Sequence, residues 1–234
     1  MRLLVFDRPG YGGSDRLPGR SVADVTADVE DLAGAEGWDE FAVAGGSGGG
    51  PHALACAAVL AARVTRCAVV GSTSPPDTSG PRPAPDGPDV RRDATSWLAV
   101  HEGETRIRSQ VQAAGAQIMA GIMSGGPEVP PDPDNPAFAT AGPAADDPAA
   151  MARLRATFLE GHDGWVDDIV VLARPWGLDL TDLTVPVSLR SGTRDVRGRD
   201  HATWLAAAVP RAERHDYRLY ATMRGERPLI CGVR

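Results

Sequence analysis

The sequence predicts an α/β protein, specifically a three-layer α/β/α sandwich with a mostly parallel sheet and an inserted helical cap. Short apolar runs alternate with segments of helical periodicity in the first part of the chain and return near its end. This alternation is typical of parallel sheets with helical crossovers. The stretch between carries helix signals and proline-rich loops instead. We therefore expect a sheet domain from residues 1–72 and 181–234, with a cap from residues 73–180.

The first part of the chain alternates strand, helix, strand, helix and strand. Arg2–Phe6 is an apolar run that ends at Asp7, and this pattern predicts a buried strand. A helix should follow from Ser21, because Ser21 and Asp24 form a capping box before apolar residues at helical spacing. Three further elements are predicted: a strand at Phe41–Ala44, a helix at His52–Arg63 and a strand at Cys67–Val70.

Two proline-rich loops lie within the predicted cap. Thr73–Pro88 contains six prolines and Gly126–Pro148 contains seven, so neither segment can continue a helix or a central strand. Helices are predicted at about Val90–Met123 and at Asp147–Gly161. Asp147 is suited to be the N-cap of the second helix, with Pro148 at its first position. The strand pattern returns at Val185–Leu189 and Arg214–Tyr220.

The charge of the chain disfavours two classes of partner. It has 24 basic and 31 acidic residues, a formal net charge of −7, whereas nucleic acids and anionic membranes attract clustered positive charge. All the basic residues are arginines, so no lysine is present for a Schiff base, for pyridoxal phosphate or for a phosphate-binding loop. We therefore expect neither nucleic acid nor a membrane as the principal partner.

The compartment is predicted from what the sequence lacks. No apolar run approaches the roughly 18 residues of a membrane-spanning helix, and Met1–Gly10 lacks the regions of a signal peptide. The three cysteines, Cys56, Cys67 and Cys231, fit neither a disulfide framework nor the spacing of a metal site. The sequence therefore predicts a cytoplasmic protein with no metal and no cofactor.

The motif that predicts chemistry is Gly45-Gly46-Ser47-Gly48-Gly49, a G-x-S-x-G between a predicted strand and a predicted helix. A sharp strand-to-helix turn strains the serine backbone, and small flanking residues let the two elements approach each other. Such a turn holds the hydroxyl above the sheet edge, where the Gly48 N–H can stabilise an oxyanion. The motif therefore predicts a nucleophile elbow with Ser47 as the nucleophile.

The glycine run has two other interpretations. It can be a loop that only turns the chain, or a loop that binds phosphate. The second is disfavoured, because the run lacks the glycine spacing of a dinucleotide fingerprint and the chain has no lysine.

The chain resembles the α/β-hydrolase superfamily, specifically its small bacterial serine hydrolases with a helical cap. The resemblance runs from about Arg2 to Pro210, and its most similar segments are FDRPGYGGSD, FAVAGGSGGGPHALACAA and GWVDDIVVLARPWGLDLTDLTVPV. It implies the α/β-hydrolase fold and a Ser…Asp…His triad in that chain order, with the acid after the penultimate strand. Asp195 follows the predicted strand Val185–Leu189 and matches the acid position; a surface turn is the alternative.

The resemblance also implies a reaction class. Relatives with an aspartate at the elbow open carbon–halogen bonds or epoxides, whereas a serine forms an acyl-enzyme. Ser47 therefore implies cleavage of an ester, thioester, lactone or amide bond in a small-molecule substrate, without a cofactor.

The sequence departs from the family pattern at two places. It begins at the family's fourth strand, so we expect the first strands and the loop that supplies a second oxyanion donor to be missing. No histidine follows Tyr220, where the family has Gly-x-His. Of the histidines after Asp195, His215 is the better candidate for the base, and His201 is expected to pack on a helix. We therefore expect a weak or inactive catalyst. A non-catalytic protein of this fold and a ligand-binding module are the alternatives.

The other histidines have less specific predictions. His52 follows Ser47 on the same predicted helix and is expected to be structural. His101 and His162 belong to the cap region, and either is a candidate for lining a substrate pocket.

Two aspartates and two tryptophans of the predicted cap are further candidates for functional residues. Asp167 and Asp168 form an acidic pair without nearby His or Cys, which favours a solvated or arginine-paired face over a metal site. Trp165 and Trp176 are candidates for lining a pocket under the cap or for ordinary packing.

Overall fold

The computed structural model describes residues 2–76, 103–124, 147–193 and 195–217. Its strands are β1 at Phe41–Gly46, β2 at Val64–Val70, β3 at Val187–Gly192 and β4 at Ala212–Tyr217. In these ranges they form one sheet in the order β1-β2-β3-β4, and every neighbouring pair is parallel. The carboxyl ends of the strands therefore share one edge, and the predicted parallel sheet is confirmed.

The helices of the same ranges are α1 at Val25–Ala35, α2 at Gly49–Val59, α3 at Glu104–Ser124, α4 at Pro148–Thr157, α5 at Asp163–Leu172 and α6 at Val196–Ala208. α2 packs against β1 and β2, α1 packs against α2, and α6 packs against β3 and β4. The predicted α/β architecture, a parallel sheet with helices flanking it, is confirmed. None of these helices has the length and apolar character that crossing a bilayer requires.

α2 is enclosed along most of its length. Every residue from Gly50 to Ala57 is buried. Alanine forms helices well and is small, so the alanines of this helix favour its formation and let it lie close to the sheet. The start of α2, which follows Ser47 directly, is therefore held firmly against the sheet.

The prediction of a strand at Arg2–Phe6 is wrong. The segment is irregular, Leu3 and Val5 are 68 % and 83 % exposed, and Phe6 alone packs against the core. A strand needs a neighbouring strand to complete its ladder of hydrogen bonds. This segment pairs with none of the described strands, so its apolar composition does not produce one.

The predicted capping box before α1 is only half formed. The Ser21 N–H donates to Asp24 Oδ2 at 2.6 Å. However, α1 begins at Val25 with Asp24 as its N-cap, and no side chain caps it. Val22, expected in the first turn of the helix, is instead buried in the turn that precedes it.

The other predicted elements form with shifted ends. α3 begins after Gly103, whose φ of 81° is not helical, so the predicted helix at Val90–Met123 is not continuous. Asp147 caps α4 as predicted, because its Oδ1 accepts from the Ala149 N–H at 2.9 Å. Most of both proline-rich loops, His101 and the end of the strand predicted at Arg214–Tyr220 lie outside the described residues.

α5 joins the helical region to the sheet domain. A second apolar cluster forms between α3 and α5 from Ile107, Val111, Val166 and Val170. The next residue of α5, Val171, belongs to the main core around the sheet. α5 therefore contacts α3 and the sheet domain at once.

Candidate active site

Ser47 lies at the sharp turn between β1 and α2. Its φ of 50° is the only positive φ of a non-glycine residue in the described ranges. This left-handed conformation costs roughly 1–3 kcal/mol, so its surroundings must hold it. The Ser47 N–H donates to Val70 O at 2.9 Å, which fixes the turn to the end of β2. The predicted position of Ser47 at a strained strand–helix junction is confirmed, and Ser47 is exposed.

Two glycines allow a close approach at this turn. A Cβ on Gly45 would overlap the carbonyl group of Gly49 and lie 2.9 Å from Gly50 N. A Cβ on Gly50 would overlap Ser72 Oγ and lie 2.9 Å from Val69 Cγ1. The expected need for small residues is therefore confirmed. The sequence motif has Gly49 on the helix side, but a Cβ on Gly49 would meet only Arg8 Nη1 at 3.7 Å, so the helix residue without room for a side chain is Gly50.

Ser72 supports the turn from the neighbouring strand. Its buried hydroxyl donates to Ser47 O at 2.8 Å, and the Gly50 N–H donates to the same oxygen at 3.1 Å. Sequence reasoning missed Ser72. The position of Ser72 just after β2 could have identified it, because neighbouring parallel strands end at the same edge of the sheet.

Gly48 is the N-cap of α2, with an N–H that has no hydrogen-bond acceptor among the described residues. The first N–H groups of a helix lack intrahelical partners and carry partial positive charge. Leu172 Cδ1 lies 3.2 Å from the point that a Cβ on Gly48 would occupy, so α5 covers this side of the turn. The Gly48 N–H is thus free to donate to negative charge that develops beside Ser47.

Asp195 lies just after β3 and is the N-cap of α6. Its Oδ1 accepts from the Gly198 N–H at 2.9 Å, and Asp195 is only 7 % exposed. Asp195 therefore lies at the expected edge of the sheet, but it is buried rather than part of a surface turn. One carboxylate oxygen of Asp195 therefore serves as the hydrogen-bond acceptor for a backbone N–H in the first turn of α6.

His215 lies inside β4 rather than in a loop. It pairs in register with Arg190 on β3. Its Nε2 is 3.8 Å from Glu213 Oε2, and its ring centroid is 6.5 Å from that of Tyr217. These contacts run along β4, so the structure does not bring His215 to Ser47 or Asp195.

His201 on α6 contacts the loop after β2. Its Nδ1 accepts from the Ser74 N–H at 3.1 Å and lies 2.9 Å from Ser74 Oγ. Because Nδ1 accepts a hydrogen bond, the neutral ring carries its proton on Nε2. The same loop carries Ser72, so His201 is connected to the turn of Ser47 through this loop. His201 lies on a helix, as predicted. Its contact with the loop after β2 was not predicted.

Asp168 on α5 is the centre of a buried charge cluster. It is 3 % exposed, forms ion pairs with Arg8 and Arg20, and accepts from Tyr11 Oη at 3.0 Å. Burial opposes ionisation, but the arginines outweigh it and hold the pKa of Asp168 below its usual range. Burial and the Asp168 charge in turn raise the pKa of Tyr11. The cluster ties the N-terminal loop to α5.

Asp167 makes a second set of arginine contacts. Its Oδ2 is 2.6 Å from Arg16 Nε, and its Oδ1 is 2.7 Å from Arg108 Nη1. The acidic pair is therefore arginine-paired, as expected, but it is buried rather than solvated. Within the described ranges no group of three or more His, Cys, Asp or Glu could hold a metal ion.

The remaining cap candidates pack against other residues. Trp176 is buried in the main core, and Trp165 packs against the second apolar cluster. His162 precedes α5, and its ring lies against Gly115 of α3. The packing alternative therefore holds for both tryptophans.

The two described cysteines are poor nucleophiles. Cys56 and Cys67 are free and buried. Burial raises the pKa of Cys56 to about 11 and that of Cys67 to about 12, so the reactive thiolate is disfavoured at neutral pH.

This geometry agrees with comparisons to known proteins. Residues 1–107 match a family model described as "alpha/beta hydrolase fold". An α/β-hydrolase fold protein from Nakamurella multipartita is 23 % identical, with a TM-score of 0.50 over 89 % of this chain and 71 % of that one. The enol-lactonase from Burkholderia xenovorans is 20 % identical, with a TM-score of 0.50 over 89 % and 69 % of the two chains. An esterase from Exiguobacterium antarcticum is 15 % identical, with a TM-score of 0.55 over 89 % and 69 %.

A parallel sheet with flanking helices and a strained serine at the strand–helix junction are features of the α/β-hydrolase fold. The chain has this fold, and residues 1–107 match the family model. No curated protein matches its sequence significantly. At identities this low, structural likeness establishes the fold alone, so the chemistry is argued from the site.

Proposed function

We propose that this protein is a serine hydrolase that cleaves a small ester, thioester, lactone or amide through an acyl-enzyme on Ser47. One observation carries the proposal. Ser47 has a φ of 50° at the junction of β1 and α2, is exposed, and its hydroxyl has no hydrogen-bond partner among the described residues. Retained backbone strain of this kind is typical of functional sites.

The chemistry follows from the neighbours of Ser47. Ser47 Oγ attacks the carbonyl carbon of the substrate, and the carbonyl oxygen gains negative charge beside the Gly48 N–H. Collapse of the resulting tetrahedral intermediate expels an alcohol, thiol or amine and leaves the acyl group on Ser47. Water then attacks the acyl group and releases the acid. A base must take the proton of Ser47 Oγ and pass it to the leaving group, and in the second step take a proton from the attacking water and return it to Ser47 Oγ.

The candidate triad is Ser47, Asp195 and His215, with His215 as the candidate base and Asp195 orienting its ring. In the described conformation His215 does not serve as the base, because its contacts run along β4. His215 can take this role only if it leaves Glu213 and the end of β4 rearranges. A serine without a nearby base is a poor nucleophile. We therefore propose slow turnover, limited by the base rather than by the serine.

The second candidate is a protein of this fold that binds a small molecule without turning it over. The described contacts of His215 favour it, because they run along β4 and do not reach Ser47. Labelling of the serine separates the two candidates, because a binding protein does not need a reactive hydroxyl.

We also propose that residues 73–180 cap the substrate site. The packing of Leu172 beside Gly48 supports this, because it brings α5 to the turn that carries the nucleophile. A cover so close to Ser47 favours small substrates.

The test is covalent labelling with a fluorophosphonate, followed by mass spectrometry of the peptides. We expect one adduct, on Ser47, that is lost in Ser47→Ala. Ser109→Ala is the matched control, because Ser109 is an exposed serine on α3 away from the turn. Labelling of another serine that persists in Ser47→Ala would contradict the proposal.

A further inference from the structure

The ring of His52 is a buried group that the proposed mechanism does not use. His52 lies on α2 and is 5 % exposed, and its Nδ1 is 2.9 Å from Gly48 O. A carbonyl oxygen only accepts, so Nδ1 carries the proton and donates. Nε2 of the neutral ring is then an acceptor, and it is buried without a hydrogen-bond partner.

A small cavity lies beside this ring. Its volume is about 10 Å³, and its lining includes His52, Arg8, Arg20, Asp24 and Asp28. A space of this volume is at the lower limit of about 10–15 Å³ that a single water needs. The Arg8 Nε–H is also buried without an acceptor. One water in the cavity can accept from Arg8 Nε and donate to His52 Nε2, which satisfies both groups.

We infer that His52 is a positioning residue for the nucleophile turn: its neutral ring, linked through one water to Arg8, holds Gly48 so that the Gly48 N–H stays available as the oxyanion donor. This inference rests on the proposed function, because it concerns the same turn. It adds a role for a residue that touches neither Ser47 nor the substrate.

The turn needs such a support because its sequence is permissive. Gly48, Gly49 and Gly50 follow Ser47 without a side chain among them. Glycine samples more backbone conformations than any other residue. The hydrogen bond from His52 fixes the carbonyl of Gly48 and so restrains the backbone that carries the donor N–H.

The surrounding charges keep the ring neutral. Burial and the positive charge of Arg8 lower the pKa of His52, and Arg20 acts in the same direction. Asp168 and the hydrogen bond to Gly48 oppose this shift without reversing it. A protonated ring would place a second positive charge beside the guanidinium of Arg8 in a buried site, which burial and charge repulsion both disfavour.

Two amide substitutions distinguish the role of Nδ1 from that of Nε2. In His52→Asn the side-chain amide reaches the position of Nδ1, so it can still donate to Gly48 O. In His52→Gln the amide extends to the position of Nε2 and loses that bond. The readout is the rate constant for labelling of Ser47 by a fluorophosphonate in the full chain.

We expect His52→Asn to label within about threefold of the parent and His52→Gln about tenfold more slowly, the effect of losing one hydrogen bond. Matching urea unfolding midpoints in the two variants exclude a general loss of structure as the cause. Equal labelling rates in both variants, or slower labelling in His52→Asn, would overturn the inference.

A second measurement does not depend on activity or on the variants. Nitrogen-15 NMR of the histidine rings in the parent chain should find His52 neutral and protonated at Nδ1 at pH 7, with a pKa below the ordinary 6.5. A neutral ring protonated at Nε2, or a pKa at or above 6.5, would contradict the inference. If the parent is not labelled at Ser47, the proposed function fails, whereas the NMR result still decides the geometry of His52.

Discussion

Gly45 and Gly49 face each other across the turn that carries Ser47, with no room for a methyl group between them. A Cβ on Gly45 would overlap the carbonyl group of Gly49. The conflict is with backbone, which cannot rotate away as a side chain can. The strained conformation of Ser47 and this close approach therefore depend on each other.

Gly45→Ala should destabilise the fold by about 2 kcal/mol or more, because the backbone of α2 would have to shift to admit the methyl group. The free energy of unfolding in urea measures this. Gly34→Ala is the control, because Gly34 lies in α1 with nothing within 4 Å of an added Cβ. It should stabilise the chain by up to about 1 kcal/mol. Equal effects in both variants would contradict the close approach.

Asp168→Asn should cost about 3 kcal/mol or more, because it leaves the guanidinium groups of Arg8 and Arg20 without their buried counter-charge. Asp163→Asn is the control, because it is the same substitution on the same helix, α5. The side chain of Asp163 is 42 % exposed and pairs with Arg16 at 2.7 Å, so its loss should cost less than about 1 kcal/mol. Urea unfolding of both variants at pH 7 is the measurement. Similar losses in the two would show that the Asp168 cluster does not stabilise the fold.

The pKa of His52 also predicts a dependence of stability on pH. Its pKa in the folded chain lies below the unfolded value of 6.5, so the unfolded chain binds the proton first as pH falls. The contribution of neutral His52 is complete above pH 6.5 and is lost as pH falls towards the folded pKa. The stabilising contributions of Asp167 and Asp168 are lost only below about pH 3.8, the ordinary pKa of aspartate, because their pKa values are lowered in the folded chain; between pH 7 and pH 5 they stay constant.

His52→Asn removes this titration. The free energy of unfolding of the parent should therefore fall more steeply than that of His52→Asn between pH 7 and pH 5. Identical slopes in the two chains would contradict a lowered pKa for His52.

His215→Ala tests whether the candidate base contributes to turnover. Because the His215 ring contacts Glu213 and Tyr217, we expect turnover of p-nitrophenyl acetate to be near background and to change by less than about twofold. Robust turnover that collapses in His215→Ala would contradict this expectation and establish His215 as the base. In that case Asp195→Asn should also cost orders of magnitude in turnover.

The fold and the nucleophile turn could be predicted because their signals are local. The alternation of apolar runs and helical segments predicts parallel strands, and β1 and β2 pair accordingly. Glycines on both sides of Ser47 predict a sharp turn wherever a strand meets a helix. Both predictions need only the residues that form the element itself.

The prediction of a strand at Arg2–Phe6 failed, and two contacts were not predicted, because all three depend on neighbours far along the chain. Arg2–Phe6 has the composition of a strand but pairs with no described strand. The support that Ser72 gives to Ser47 depends on β1 and β2 being adjacent, which no local pattern of either segment specifies. The contact of His201 with Ser74 depends in the same way on how α6 packs.

The most direct test of the account is to trap the acyl-enzyme. The protein is mixed with p-nitrophenyl acetate, quenched in acid and digested, and the peptides are analysed by mass spectrometry. Because no described histidine contacts Ser47, deacylation should be slow, and we predict one acetyl group on the peptide that contains Ser47 and none on it in Ser47→Ala. Acetylation confined to other residues, and unchanged in Ser47→Ala, would contradict the claim that Ser47 is the nucleophile.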